Sequence, residues 1–208
     1  MTNSLPSEYL FPFLFITLAV LYCFRLARAE RLLDRAFVPV VISVSVVLSF
    51  VRFGSLSLSE YLLSLSPSYS IGLISLALIV LYERLCGKKI LSRRDLLIFS
   101  VWNVIMSGLL FLSYLGFIDA DLYYQGYGFS VWLMVPAVSA ITLALLRYPL
   151  AFIFAAYLVS YDIGLLHSEN IWDYMTDGIL FILSLVILSV YAVKLVLRTL
   201  RPEGNQAR

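Results

Sequence analysis

From Leu96 to Ile118 the chain runs 23 residues without a charged side chain, and from Gly178 to Val193 it runs 16 more. A helix needs about 20 predominantly apolar residues to cross the hydrocarbon core of a bilayer. Stretches of this kind leave few folds open, because water offers them no partner. The rest of the chain agrees. Of its 208 residues 62% are hydrophobic and 13% charged, against about 25% charged in soluble domains. That much apolar surface cannot be hidden inside a water-soluble globule of this size. The composition excludes a soluble enzyme, a nucleic-acid-binding domain and a disordered regulator.

Apolar segments separated by charged connections give an all-α integral membrane protein, a bundle of seven transmembrane helices. The expected helices cover 9–24, 36–51, 61–82, 96–118, 127–146, 148–166 and 171–197, so that 1–208 forms one multi-pass transmembrane domain. Lys and Arg near helix ends stay cytoplasmic. Of the 15 basic residues, 14 fall on alternate connections or the C-terminal end, with ERLCGKKILSRRD (83–95) the densest run. Arg52 stands alone on the other face. That face collects eight of the 13 acids: Glu8, Glu60, Asp119, Asp121, Asp162, Glu169, Asp173 and Asp177. The expected orientation is N-terminus outside and C-terminus cytoplasmic.

The first apolar stretch lacks a leading positive cluster and does not read as a cleavable signal. Cys23 and Cys86 fall on the reducing side, where no disulfide is expected. Pro202 and Gly204 are expected to stop the last helix. The run SLSLSEYLLSLSPSYS (55–70) has no helical stripe, and Pro67 breaks what precedes it. Two readings remain: one helix kinked at Pro67, or an interfacial segment before a short helix. Length and proline placement favour the kink. A sparse echo, Pro39 and Ser59-Glu60 against Pro149 and Ser168-Glu169, fits a parallel duplication of three helices about a central one.

The polar residues supply the candidate binding positions. Asp162 stands well inside the sixth segment, with Ile163, Leu165 and Leu166 still to come. An intramembrane carboxylate is costly and is expected to face the bundle, paired or protonated. Glu169, Asp173 and Asp177 follow at four-residue spacing and are expected to share a helix face. Their mutual repulsion would be relieved by a cation, by Arg52 or by water. Asn170 is placed to cap that helix. Trp172, Tyr174 and Tyr161 suit an interfacial aromatic belt. His167 lies five residues from Asp162, off its face. Asn103 is an interhelical hydrogen-bonding group. Gly126 and Gly128 are expected to make the tyrosine-rich 119–128 loop flexible. Lys194, one turn before Arg198, is placed to snorkel to headgroups rather than to hold a chromophore.

Catalytic and metal signatures are lacking. The single His rules out paired haem ligands, and HExxH, GxSxG, Walker and GxGxxG patterns do not occur. No cofactor is expected, and an enzyme is not the favoured reading. The favoured function is transport or binding of a polar or cationic solute through an acidic outer mouth, by Asp162, Asp173, Asp177, Glu169, His167, Asn103 and Arg52. A structural or assembly subunit of a membrane complex is the alternative. A lipid-acting enzyme using Asp162, Asp173 and His167 comes third. Expected partners are the bilayer, anionic phospholipids at the basic loops, and a membrane protein or second copy, with no nucleic acid. The overall look, including the lack of N-x-S/T sequons, is that of a small bacterial inner-membrane protein.

Overall fold

The computed structural model describes residues 9–27, 36–66, 68–128 and 130–200. The N-terminal Glu8, the basic residues Arg28, Arg31 and Arg35, Pro67, and the tail with Pro202 and Gly204 lie outside the described residues. The fold is all-α apart from one small hairpin. Its helices are α1 (Leu10–Leu26), α2 (Phe37–Phe50), α3 (Leu58–Leu65), α4 (Ile71–Cys86), α5 (Arg93–Tyr114), α6 (Met134–Leu145), α7 (Ala151–Asp162), α8 (Ile171–Met175) and α9 (Gly178–Leu200). Between α2 and α3 lies the hairpin of β1 (Arg52–Phe53) and β2 (Leu56–Ser57), antiparallel with Arg52 opposite Ser57.

Two helices, α5 and α9, are long and apolar enough to cross a membrane, with mean hydropathy 2.0 and 2.6. At about 1.5 Å per residue each exceeds the roughly 30 Å hydrocarbon core. Only 22% and 11% of their apolar stretches are buried, whereas the core helix of a soluble protein is buried on most sides. They pack against each other and run antiparallel: the C-terminal end of α5 borders the same cavity as the start of α9, and Arg93 borders the same trough as Lys194 and Arg198. The remaining apolar helices are shorter. α1 has 17 residues, α2 has 14, and α6 and α7 have 12 each.

The helices end earlier than their apolar sequence because identifiable caps stop them. α5 ends at Tyr114 rather than near Ile118, since Gly116 adopts φ 76° and Phe117 N–H returns to the Leu112 carbonyl at 2.9 Å, a Schellman closure. The sixth expected helix, 148–166, is α7 alone, with Gly164 at φ 62° and Leu165 N–H bonded to the Ser160 carbonyl. Arg147 makes the same closure after α6 with φ 59°, a conformation that costs a non-glycine residue about 1 kcal/mol or more.

The third expected helix, 61–82, is not one kinked span. Two separate N-caps divide it. Ser57 and Glu60 form a capping box that starts α3, and Ser70 accepts the Leu73 N–H to start α4. Ser66 between them is extended, at φ −150° and ψ 128°. The seventh expected helix, 171–197, is likewise divided, because Thr176 is extended at φ −134° and ψ 145°. As for the internal echo, Ser59-Glu60 lies inside α3, whereas Ser168-Glu169 lies in a loop before α8.

The main core forms where α4, α7 and α8 meet. Leu150, Tyr157, Ile171, Trp172, Tyr174, Met175 and Leu180 are 0% exposed. A second cluster, Ile16, Val20, Leu21, Phe37 and Val41, joins α1 to α2.

Candidate functional site at the α5–α9 cavity

α8 is the anchor on which the site is built. Asn170 starts it as expected, its side chain accepting the Trp172 N–H at 3.0 Å. The Asn170 Nδ2 donates to the Tyr123 carbonyl at 2.8 Å, and the Trp172 indole N–H donates to the Leu122 carbonyl at 2.8 Å. These two bonds tie the 119–128 loop down. Gly126 is buried beneath them, and a Cβ there would lie 2.0 Å from Asn170 Oδ1. Gly126 therefore provides close approach rather than flexibility. Trp172 and Tyr174 are core residues, not members of an interfacial belt, and the Tyr174 hydroxyl bonds the Leu166 and Ser168 carbonyls at 3.1 Å.

The three acids expected on one helix face are dispersed. Glu169 is exposed in the loop before α8, its backbone carbonyl accepting the Tyr161 hydroxyl. Asp173 accepts from the Tyr123 hydroxyl at 3.1 Å and from Ser168 Oγ. Burial and the Asp173 charge both push the Tyr123 hydroxyl pKa above its ordinary value. Asp177 caps α9, accepting the Leu180 N–H at 2.7 Å, and also receives both the N–H and the hydroxyl of Ser70. Across 107 positions of sequence this one carboxylate joins the starts of α4 and α9.

The other expected residues divide similarly. Asn103 is fully buried and accepts from Ser184 Oγ at 3.3 Å, the interhelical bond its position implies. Its Nδ2 has no partner among the described residues. Asp162 is exposed at the last turn of α7 and does not face the bundle, since the chain leaves the helix at Gly164. His167 is exposed in the following loop. Arg52 is exposed in β1, where its charge acts on Glu60, and it does not line the cavity that holds Asp177. The capping bonds from Ser57 are the main reason that the Glu60 carboxyl pKa lies below its ordinary value, with Arg52 adding to them.

A cavity of about 540 Å³ opens between the C-terminal half of α5 and the start of α9, roofed by the 118–123 loop. Binding pockets for small molecules fall in roughly this range, 300–1,000 Å³. Its walls are aromatic, with Phe111 and Phe181 at a ring separation of 5.4 Å, and Tyr114 and Tyr123 beside them. Asp121 and Asp177 provide its negative charge. Among the described residues no cation lines it. Deeper in, Ser107 is 4% exposed and its hydroxyl has no partner among the described residues. Composition pointed to the outer acids. It did not single out Ser70, Ser107, Phe111 or Phe181, which are common residue types in apolar sequence.

Among the described residues no group of three His, Cys, Asp or Glu side chains is arranged to hold a metal ion. Comparison with protein-family profiles, curated proteins and solved structures gives no match.

Proposed function

We propose that this chain is a multi-pass membrane protein that binds, and carries across the bilayer, a small organic cation admitted through the α5–α9 cavity. One observation carries this reading: two carboxylates stand in an aromatic-walled cavity that no cation lines among the described residues. Aromatic faces attract ammonium groups by about 0.5–2 kcal/mol each, more when water is excluded. A carboxylate adds charge complementarity, and the apolar wall accepts an alkyl or aryl substituent. The unpartnered Ser107 hydroxyl supplies one further polar contact.

The membrane placement is part of the same proposal: seven crossings, N-terminus outside, in a bacterial inner membrane. The antiparallel pair α5 and α9 supports the orientation. Arg93, Lys194 and Arg198 lie at one end of it, and Asp121 and Asp177 at the other. The shorter helices span with local thinning of the bilayer and flanking turns. The alternative, a subunit of a membrane complex, draws support from α9, whose low burial leaves an apolar face for another helix as well as for lipid. A lipid-acting enzyme has less support, because Asp162 is exposed and Asp173 is held by Tyr123 and Ser168.

Thermal unfolding of the detergent-solubilised protein tests the proposal, with tetramethylammonium, choline and benzyltrimethylammonium as probes and acetate and benzoate as controls. At least one ammonium compound should raise Tm, and Phe181→Leu with Asp121→Asn should weaken its binding by about tenfold. Equal stabilisation by the carboxylates, or none by any ammonium compound, overturns the cation assignment.

A further inference from the structure

The other end of the α5–α9 pair carries a different site. A trough of about 300 Å³ runs between the first turns of α5 and the last turns of α9. Leu96, Leu97, Val186, Ile187 and Val190 make its floor and walls apolar, and three cations, Arg93, Lys194 and Arg198, stand around it. Val190, Lys194 and Arg198 follow at four-residue spacing, so one face of α9 changes from apolar to cationic along its length. The nearby acid is turned to another purpose. Asp95 is 3% exposed and its carboxylate accepts the Ser92 N–H in a capping box. The adjacent Arg94 is also directed elsewhere, over the Tyr148 ring at 5.7 Å. No carboxylate lines the trough among the described residues.

The geometry points to a bound phospholipid of net negative headgroup, its phosphate held among Arg93, Lys194 and Arg198 and one acyl chain lying in the trough against Val190 and Ile187. Charge complementarity selects the headgroup. Guanidinium groups match phosphate oxygens bidentately, and the ammonium adds a point charge. The apolar floor selects a chain-bearing ligand over a free anion, since it offers a phosphate nothing. Long cationic side chains at a helix end also snorkel to any headgroup layer. Three cations lining one trough differ from that general attraction in predicting a fixed stoichiometry and a fixed address. The inference rests on the membrane placement proposed above and is independent of the cavity at the opposite end.

The test is native mass spectrometry of the full chain, released from nanodiscs containing equal phosphatidylglycerol and phosphatidylcholine. One phosphatidylglycerol should stay bound per chain, in preference to phosphatidylcholine. K194Q and R198Q should each lower that preference by about fivefold, the effect of one cation near an anionic headgroup. K88Q/K89Q, which removes two charges from the same connection outside the trough, should leave it unchanged. V190W, which fills the trough and keeps every charge, should lower retention of the dioleoyl lipid, and millimolar inorganic phosphate should not displace it. Equal retention of the two lipids overturns the site. So does a loss in K88Q/K89Q matching that in K194Q, retention unaffected by V190W, or displacement by phosphate. A chain recovered in the aqueous fraction without detergent overturns the membrane placement and this site together. Cation binding at the opposite cavity is read separately and can fail with the lipid site intact.

Discussion

Tyr157 places a hydroxyl in the main core without a partner among the described residues, and the residue is 0% exposed. A buried polar group left unpaired costs about 1–3 kcal/mol. Beside it Gly72 opens α4, and a Cβ there would lie 2.3 Å from the Tyr157 hydroxyl and 3.0 Å from Leu180. Gly72 is thus the space into which the hydroxyl fits. Removing the hydroxyl is expected to be neutral or to stabilise by about 1 kcal/mol. Gly72→Ala alone is expected to destabilise by about 1–3 kcal/mol through overpacking. Tyr157→Phe should restore part of that loss in the double variant, because the hydroxyl is the nearest obstruction. Thermal unfolding of the four proteins in one detergent gives the coupling. Strict additivity would show that the two side chains do not share this space.

Among the elements, α3 starts at a titrating group. Its start is the Ser57–Glu60 capping box, with the Ser57 N–H bonded to Glu60 Oε2 at 2.6 Å. The folded-state pKa of Glu60 lies below 4.5, so the carboxylate favours the folded element while ionised. That contribution is fully present above pH 4.5 and fades as the pH falls through the lower folded value. Protection factors of the α3 amides, corrected for intrinsic exchange, should decrease below pH 4.5 in the wild-type chain, and Glu60→Gln should remove that pH dependence. An unchanged profile in Glu60→Gln would assign the effect to another group.

The same element shows what sequence can and cannot reveal. The Ser/Leu alternation and Pro67 already marked 55–70 as irregular. Whether one helix or two follow was decided by the caps at Ser57 and Ser70, and serine is so frequent there that no single cap stands out. The long apolar helix behind α5 was plain from charge-free length, as was its buried Asn103. Asp162 was misplaced because apolar residues continue beyond it, while a left-handed glycine ends the helix. Gly126 was misread because composition does not distinguish a glycine needed for freedom from one needed for closeness. Asp177 was visible as an acid, but its partner Ser70 is distant in sequence.

At the scale of the molecule, the charges and the helix pair constrain each other. α5 and α9 run antiparallel, so the 63 residues between Tyr114 and Gly178 leave and return at the same end of the pair. If the pair spans a bilayer, this intervening chain crosses it an even number of times, and the seven-crossing proposal assigns two of those crossings to α6 and α7, which pack against each other. On the proposed placement, the positive-inside rule puts the end bearing Arg93, Lys194 and Arg198 in the cytoplasm and the end bearing Asp121, Asp173 and Asp177 outside. A reporter fused after Arg208 should be active in the cytoplasm, and one inserted near Gln125 should report the outside. The 118–128 loop is pinned by Asn170 and Trp172, so an insertion at Gln125 needs flexible flanks to leave the fold intact. Both reporters on one side would contradict the antiparallel pair as a membrane-spanning unit. Opposite sides with the signs exchanged would keep the pair and invert it. The carboxylate cavity would then open to the cytoplasm, and the cation it is proposed to take would be an intracellular one.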